Sequence, residues 1–220
     1  SPRTSTIRKG RANVADLTDA SLSLTPVSPL ARALVPGDFG AIGPNGPGVV
    51  FRDRRDLSLV TIQIRPEKQA GARNMLETAG FALPHVGQAA RCGDVSVIWS
   101  ALDRWVAVAP RGPGELLGSL SEAFGGDLRA HGVALVDQSS GLFALEIGGP
   151  KLDALLAKGT PVDLHALETD RTAATGIDHQ PVTLWRTSAQ TVLMLVGRSF
   201  AQDTLEFLQE MALEYGYRNG

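Results

Sequence analysis

The chain has little of what several functional classes require. Of its 220 residues only one, Cys92, is a cysteine. A lone thiol makes no internal disulfide, so a disulfide framework is excluded and a reducing cytoplasm is the expected setting. Aromatic residues make up 5% of the chain, too few for a platform on which bases stack. Neither sign of charge dominates, and the formal net charge is -2. A nucleic-acid backbone is held by a concentrated basic face, because counterion release supplies most of the affinity. The two dense basic stretches, residues 3–11 and 52–55, form no such face. The second is offset by Asp53 and Asp56, and both read as solvated surface. No run reaches the ~18 apolar residues of a membrane span, and the first residues carry no positive-then-apolar signal pattern. The expectation is a cytoplasmic protein with no nucleic-acid or membrane partner.

What is present is ordinary globular material, 43% hydrophobic and 20% charged, with 24 glycines and 13 prolines. Residues 1–25 are polar and read as a tail. Residues 26–49 carry five prolines and five glycines, so they read as an irregular, extended arm. Regular structure is expected from Val49 onward. Leu57-Ser58-Leu59-Val60-Thr61-Ile62-Gln63-Ile64 alternates and is rich in β-branched residues, as a strand should be. Residues 67–79 predict a helix with Ala70, Met75, Leu76 and Ala79 toward the core and Gly80 at its end. Residues 95–99 and 105–108 predict a hairpin, residues 113–124 a second helix, and residues 133–136 a further strand. The order is βαββαβ, a ferredoxin-like unit.

The second half repeats the theme. Residues 143–147 predict a strand. Gly149-Pro150 opens a short helix whose Leu152, Leu155 and Leu156 share one face, and residues 161–167 predict another helical turn. Residues 172–175, 182–185 and 191–196 predict three strands. Ser199 with Gln202 has the spacing of a capping box. Ala201, Leu205, Leu208, Ala212 and Tyr215 then line one face of a last helix reaching Tyr215. The predicted fold class is therefore α+β, with mixed or antiparallel sheets and packed helices in two ferredoxin-like halves. The divisions fall at residues 1–48 (tail and arm), 49–130 (first half) and 131–220 (second half).

No linear motif for catalysis, cofactor binding or metal binding stands out, and no residue is nominated for any of these roles. His85, His131, His165 and His179 are far apart, and none has a partner at metal-ligand spacing. His85 and His131 are expected in loops. Cys92 lies between Arg91 and Gly93-Asp94, whose charges oppose one another, and reads as structural or incidental. Asp137-Gln138-Ser139-Ser140-Gly141 joins two predicted strands, whereas a nucleophile elbow needs GxSxG at a strand-to-helix turn. It reads as a polar turn in which Asp137 or Ser139 accepts local amides. Residues 37–48 contain neither GxxxxGK[ST] nor a GxGxxG opening a helix. Gly112-Pro113-Gly114 precedes a helix but lacks the lysine and hydroxyl residue of a phosphate loop.

Several stretches, taken in order, resemble the gamma subunit of heterotetrameric sarcosine oxidase. They are Ser28-Pro29-Leu30-Ala31; Gly48-Val49-Val50-Phe51-Arg52-Asp53; Trp99 followed by Leu102-Asp103-Arg104-Trp105 and Ala109-Pro110; Val136-Asp137-Gln138-Ser139 leading to Gly148-Gly149-Pro150; Val182-Thr183-Leu184-Trp185-Arg186; and Leu195-Val196-Gly197-Arg198-Ser199-Phe200-Ala201. The stretch from Val136 also resembles the wider aminomethyltransferase group. This resemblance implies a non-catalytic subunit packed on a large alpha subunit, with beta and delta subunits completing the complex. It implies that FAD, FMN, NAD and tetrahydrofolate belong to the partner subunits and that the complex demethylates sarcosine to glycine. Two other readings stand beside it: a subunit of a related N-methyl amino acid dehydrogenase, and a free-standing folate-binding one-carbon transfer or regulatory protein. The arm over residues 26–48 is expected to lie against either its own domain or a partner; it and the hairpin around Trp99 and Trp105 are the candidate partner contacts, although both tryptophans read first as core residues.

Overall fold

The computed structural model describes residue 30, residues 33–112 and residues 115–220. The predicted tail, the first prolines of the arm and the Pro113-Gly114 start of the second helix lie outside the described residues.

Two short strands, β1 (Gly37–Phe39) and β2 (Val49–Asp53), come first. Two copies of one motif follow. The first contains β3 (Leu57–Ile64), α1 (Gln69–Thr78), β4 (Ala89–Cys92), β5 (Val95–Ala101), β6 (Arg104–Pro110), α2 (Glu115–Ala123) and β7 (Val133–Asp137). The second contains β8 (Leu142–Gly148), α3 (Leu152–Gly159), β9 (Thr172–Ile177), β10 (Gln180–Ser188), β11 (Thr191–Gly197), α4 (Ala201–Ala212) and β12 (Tyr217–Asn219). The first builds a five-stranded sheet in the order β4-β5-β6-β3-β7. The second builds a seven-stranded sheet in the order β1-β12-β2-β8-β11-β10-β9. Remove β4 from the first, and β9, β2 and β1 from the second. Both then show the βαββαβ arrangement, in which the first and fourth strands flank one another and the hairpin pairs on the other side. The two ferredoxin-like halves are as expected.

The halves stack as four layers, helices outside and sheets within. Alternation along each strand decides which side chain joins which layer. In β3, Val60, Ile62 and Ile64 face α1 and α2. Leu57 and Leu59 face the other sheet. In β11, Val192, Met194 and Val196 face α3 and α4, whereas Leu193 and Leu195 join Leu59, Val108 and Trp185 between the sheets. Both faces of these strands are covered, so they read as nearly continuous apolar runs. Full burial of each such side chain contributes roughly 1.5–3 kcal/mol. The sheets are also joined at one edge, where Ala89 N–H donates to Asp170 O (2.8 Å) and Thr172 N–H donates to Gly87 O (3.0 Å).

Several expectations are corrected. β2 does not join the first half: it pairs antiparallel with β8 and parallel with β12 in the seven-stranded sheet. β7 pairs with β3 and so belongs to the first sheet, which moves the boundary between the halves from residue 130 to the turn after Asp137. Helix α1 starts after a 3-10 turn at Pro66–Lys68 and buries Ala72 and Leu76, while Ala70 and Ala79 are exposed. The capping box does not form. No side chain caps α4 or the 3-10 turn before it, and Gln202 Nε2 instead donates to Glu206 one turn on (2.8 Å). The last helix ends at Ala212, and the chain turns through Gly216 into β12. Residues 161–167 make only one turn, closed by Leu167 N–H on Asp163 O (3.2 Å).

The arm is the largest correction. Structure begins well before Val49, because the arm takes one of its two expected supports, its own domain. Leu30 is fully buried in the core between the seven-stranded sheet and its helices. β1 pairs antiparallel with β12, and Phe39 stacks on Tyr217 with centroids 5.2 Å apart. The buried Asn219 donates from Nδ2 to Val35 O (2.9 Å), and Gln209 Nε2 donates to Ala33 O (3.3 Å). Close approach of backbones needs glycine at the crossing. A Cβ on Gly149, which has a φ of +122°, would lie 2.4 Å from Gly48 O.

Candidate functional site

The residues that looked reactive in sequence are held apart, each in a local structural role. Ser139 Oγ accepts the Leu59 N–H (3.0 Å), and Asp137 Oδ1 accepts the Ser139 N–H (2.8 Å). This is the polar turn that the sequence suggests. The Ser139 hydroxyl and N–H together hold Asp137 below the usual carboxylate range. Cys92 Sγ, half-buried, accepts the Ala82 N–H (3.1 Å). His85, His165 and His179 are exposed, and half-buried His131 lies 6.2 Å from the Phe124 ring. Among the described residues, no three His, Cys, Asp or Glu side chains converge as a metal-binding group.

A cleft of about 740 Å³ opens between the two sheets. Thr61, Gln63, Arg104 and Val106 line one wall, and Leu142, Thr183 and Leu195 line the other. Among the described residues, Arg104 is its one charged lining residue. General acid–base chemistry needs a positioned proton donor or acceptor, and beside the Arg104 guanidinium the described walls present amides, hydroxyls and alkyl groups. A smaller recess of about 220 Å³ opens where Arg54, Arg91, Asp94, Glu146 and Trp185 meet. Its cations are already paired. Arg54 grips Asp56 through two bonds of 2.8 Å and Glu146 through one of 2.7 Å. Those bonds push the Arg54 pKa up, and Arg54 in turn lowers that of Asp56. Arg91 lies 5.2 Å over the Trp185 ring and donates to Asp170 Oδ1 (2.9 Å). Sequence reasoning missed both recesses because their walls come from residues about a hundred positions apart, with no local signal.

The two expected contact elements fare differently. Trp105 is 4% exposed and its indole N–H donates to Pro84 O (2.9 Å). Its partner across the hairpin, Trp99, is half-buried against the same helix-facing core. Only the turn between the strands protrudes, with Leu102 80% exposed. The arm, as described, covers its own sheet.

The class of protein is thus a two-unit α+β sandwich, with helices outside and two sheets within. The glycine cleavage system aminomethyltransferase T from Bartonella henselae shares this fold, with a TM-score of 0.53 at 16% identity over 77% of this chain and 52% of that one. Within the class, the chain belongs to the sarcosine oxidase gamma subunit family, whose model matches residues 67–214. Sarcosine oxidase subunit gamma of Arthrobacter sp is 31% identical over 199 residues, covering 89% of this chain and 92% of that relative. A chain of the heterotetrameric sarcosine oxidase from Corynebacterium sp. U-96 superposes with a TM-score of 0.71 at 26% identity, over 86% of this chain and 96% of that one. No helix among the described residues is long and apolar enough to cross a membrane.

Proposed function

We propose that this chain is the non-catalytic gamma-type subunit of a heterotetrameric sarcosine oxidase. In this reading it packs on the large alpha subunit, and beta and delta subunits complete the assembly. The complex demethylates sarcosine oxidatively to glycine, and FAD, FMN, NAD and tetrahydrofolate belong to the other subunits. The observation that carries the reading is similarity to a gamma subunit across nearly the whole of both chains. The geometry supports it. Ser139, Cys92 and Asp137 each serve the local backbone, and the charged groups of the smaller recess bind one another. Such a molecule suits packing and shaping more than turnover.

Affinity purification of the tagged chain, produced together with its neighbouring genes, tests the reading. It predicts co-elution of a large flavin-containing chain and sarcosine-dependent peroxide release by the eluate. Elution of the chain alone contradicts it.

A further inference from the structure

The two copies of the motif end differently. In the second copy the last strand, β12, is covered on its outer edge by β1, an extended piece of the arm running antiparallel. The corresponding last strand of the first copy is β7. It pairs with β3 on one side and is the final strand of its sheet, with no strand among the described residues on the other side.

The ladder identifies which groups face outward. Gln138 N–H donates to Leu59 O (2.7 Å), and Arg65 N–H donates to Gly132 O (3.0 Å). Groups facing the neighbour alternate along an antiparallel strand. Even-numbered residues of β7 therefore face β3, and Leu135 and Asp137 turn N–H and C=O outward. Val133 N–H is engaged by Leu128 O (2.9 Å). Natural edges are usually blunted by lysine, proline or a bulge. β7 is Val-Ala-Leu-Val-Asp, in unbroken register with β3, and Val136 is 47% exposed at the mouth of the large cleft. A second recess, of about 490 Å³, adjoins its N-terminal end and includes Val133, Ala134, Arg65 and Arg129 with Asp103.

We infer that the outer edge of β7 receives an extended segment of a partner subunit, added as an antiparallel strand in the way β1 covers β12. Main-chain bonds to Leu135 and Asp137 supply the pairing, and the flanking recesses take alternate side chains of the incoming strand. Beside Val136 the fit is to an aliphatic residue. The basic excess of Arg65 and Arg129 over Asp103 fits an acidic residue at the C-terminal end of the incoming strand. Five residues make only part of a standard interface of about 800 Å² per partner, so this is one element of a wider contact. The inference rests on the proposed role as a subunit.

Amide hydrogen exchange at Leu135 and Asp137 tests it, on the full chain alone and on the complex purified with its partners. The expected result is rapid exchange in the isolated chain and a slowing of about 100-fold or more in the complex. Leu135→Pro deletes one outward donor at a position where an edge strand tolerates proline, and is expected to lower complex recovery at least ~10-fold. Val136→Lys leaves the backbone unchanged and is expected to weaken recovery through the cleft-side contact. A complex that forms while both amides exchange as in the free chain overturns the inference and leaves the subunit role standing. Failure to recover any partner overturns both. Protection already present in the isolated chain also overturns it, whether abolished by deleting residues 1–29, which assigns the edge to this chain's own segment, or rising with concentration, which assigns it to a second copy.

Discussion

Replacing Leu30 with alanine tests whether the arm is part of the folded core. The side chain is fully buried among residues of the seven-stranded sheet and its helices. Truncating a buried leucine costs about 2–5 kcal/mol, the transfer of the lost carbons plus the cavity they leave. A loss of about 2–4 kcal/mol, within that range, is the expected result. That is a large share of a stability of about 5–15 kcal/mol. With a urea m-value of about 2–3 kcal/mol/M, the unfolding midpoint falls by roughly 1 M. Tryptophan fluorescence is the suitable probe because Trp99, Trp105 and Trp185 belong to the other two cores. It therefore reports loss of the whole fold rather than fraying of the arm. Val35→Ala, at a 53% exposed position of the same arm, serves as control and is expected to change stability by less than about 0.5 kcal/mol. A Leu30→Ala midpoint within error of the parent would refute the reasoning, and the arm would be an appendage rather than a component.

Three further outcomes follow from the same geometry. Gly149→Ala is expected to destabilise by about 2–5 kcal/mol, from a Cβ placed against Gly48 O and from its positive φ; Gly71→Ala, in α1 with open space around it, is expected to stabilise by up to about 1 kcal/mol, both read by urea unfolding. Trp105→Phe leaves the buried Pro84 carbonyl without its indole donor and is expected to cost about 1–3 kcal/mol while leaving partner recovery intact. Asp56 and Asp137 have folded-state pKa values held below normal by Arg54 and Ser139, so their contribution is present above the unfolded value of about 3.9 and is lost as pH falls through the lower folded values. The Asp56→Asn, Asp137→Asn double variant is expected to flatten stability against pH below about 4, and an unchanged acid limb in thermal scans would contradict this.

The parts of the fold legible in the sequence are those that local physics decides. Alternation in Leu57–Ile64, the continuous apolar run in Thr191–Gly197 and the leucine spacing of α3 each follow from one element burying one or two faces. What was not legible depends on distant partners. β4 is Ala-Ala-Arg-Cys, with no β-branched residue, and exists because β5 offers an edge. β1 and β12 are three residues each and are strands only in each other's company and that of β2. The glycines and prolines of the arm predicted irregularity correctly along much of its length. They did not reveal that Gly48 is where the arm crosses the chain at Gly149. The Ser199/Gln202 spacing suggested a cap, but a 3-10 turn precedes the helix and removes the geometry that such a cap needs. The candidate surfaces were least legible of all, because the cleft joins walls from two sheets and the edge of β7 is defined by the lack of a neighbouring strand among the described residues.

The central claim is tested most directly by native mass spectrometry of the purified sarcosine-oxidising complex, paired with turnover by complexes assembled with and without this chain. The account predicts one copy of the 23.2 kDa chain beside three different polypeptides, and loss of assembly and of sarcosine oxidation when it is left out. A fully active complex lacking the chain would contradict it, as would tetrahydrofolate binding to the chain alone on the order of micromolar.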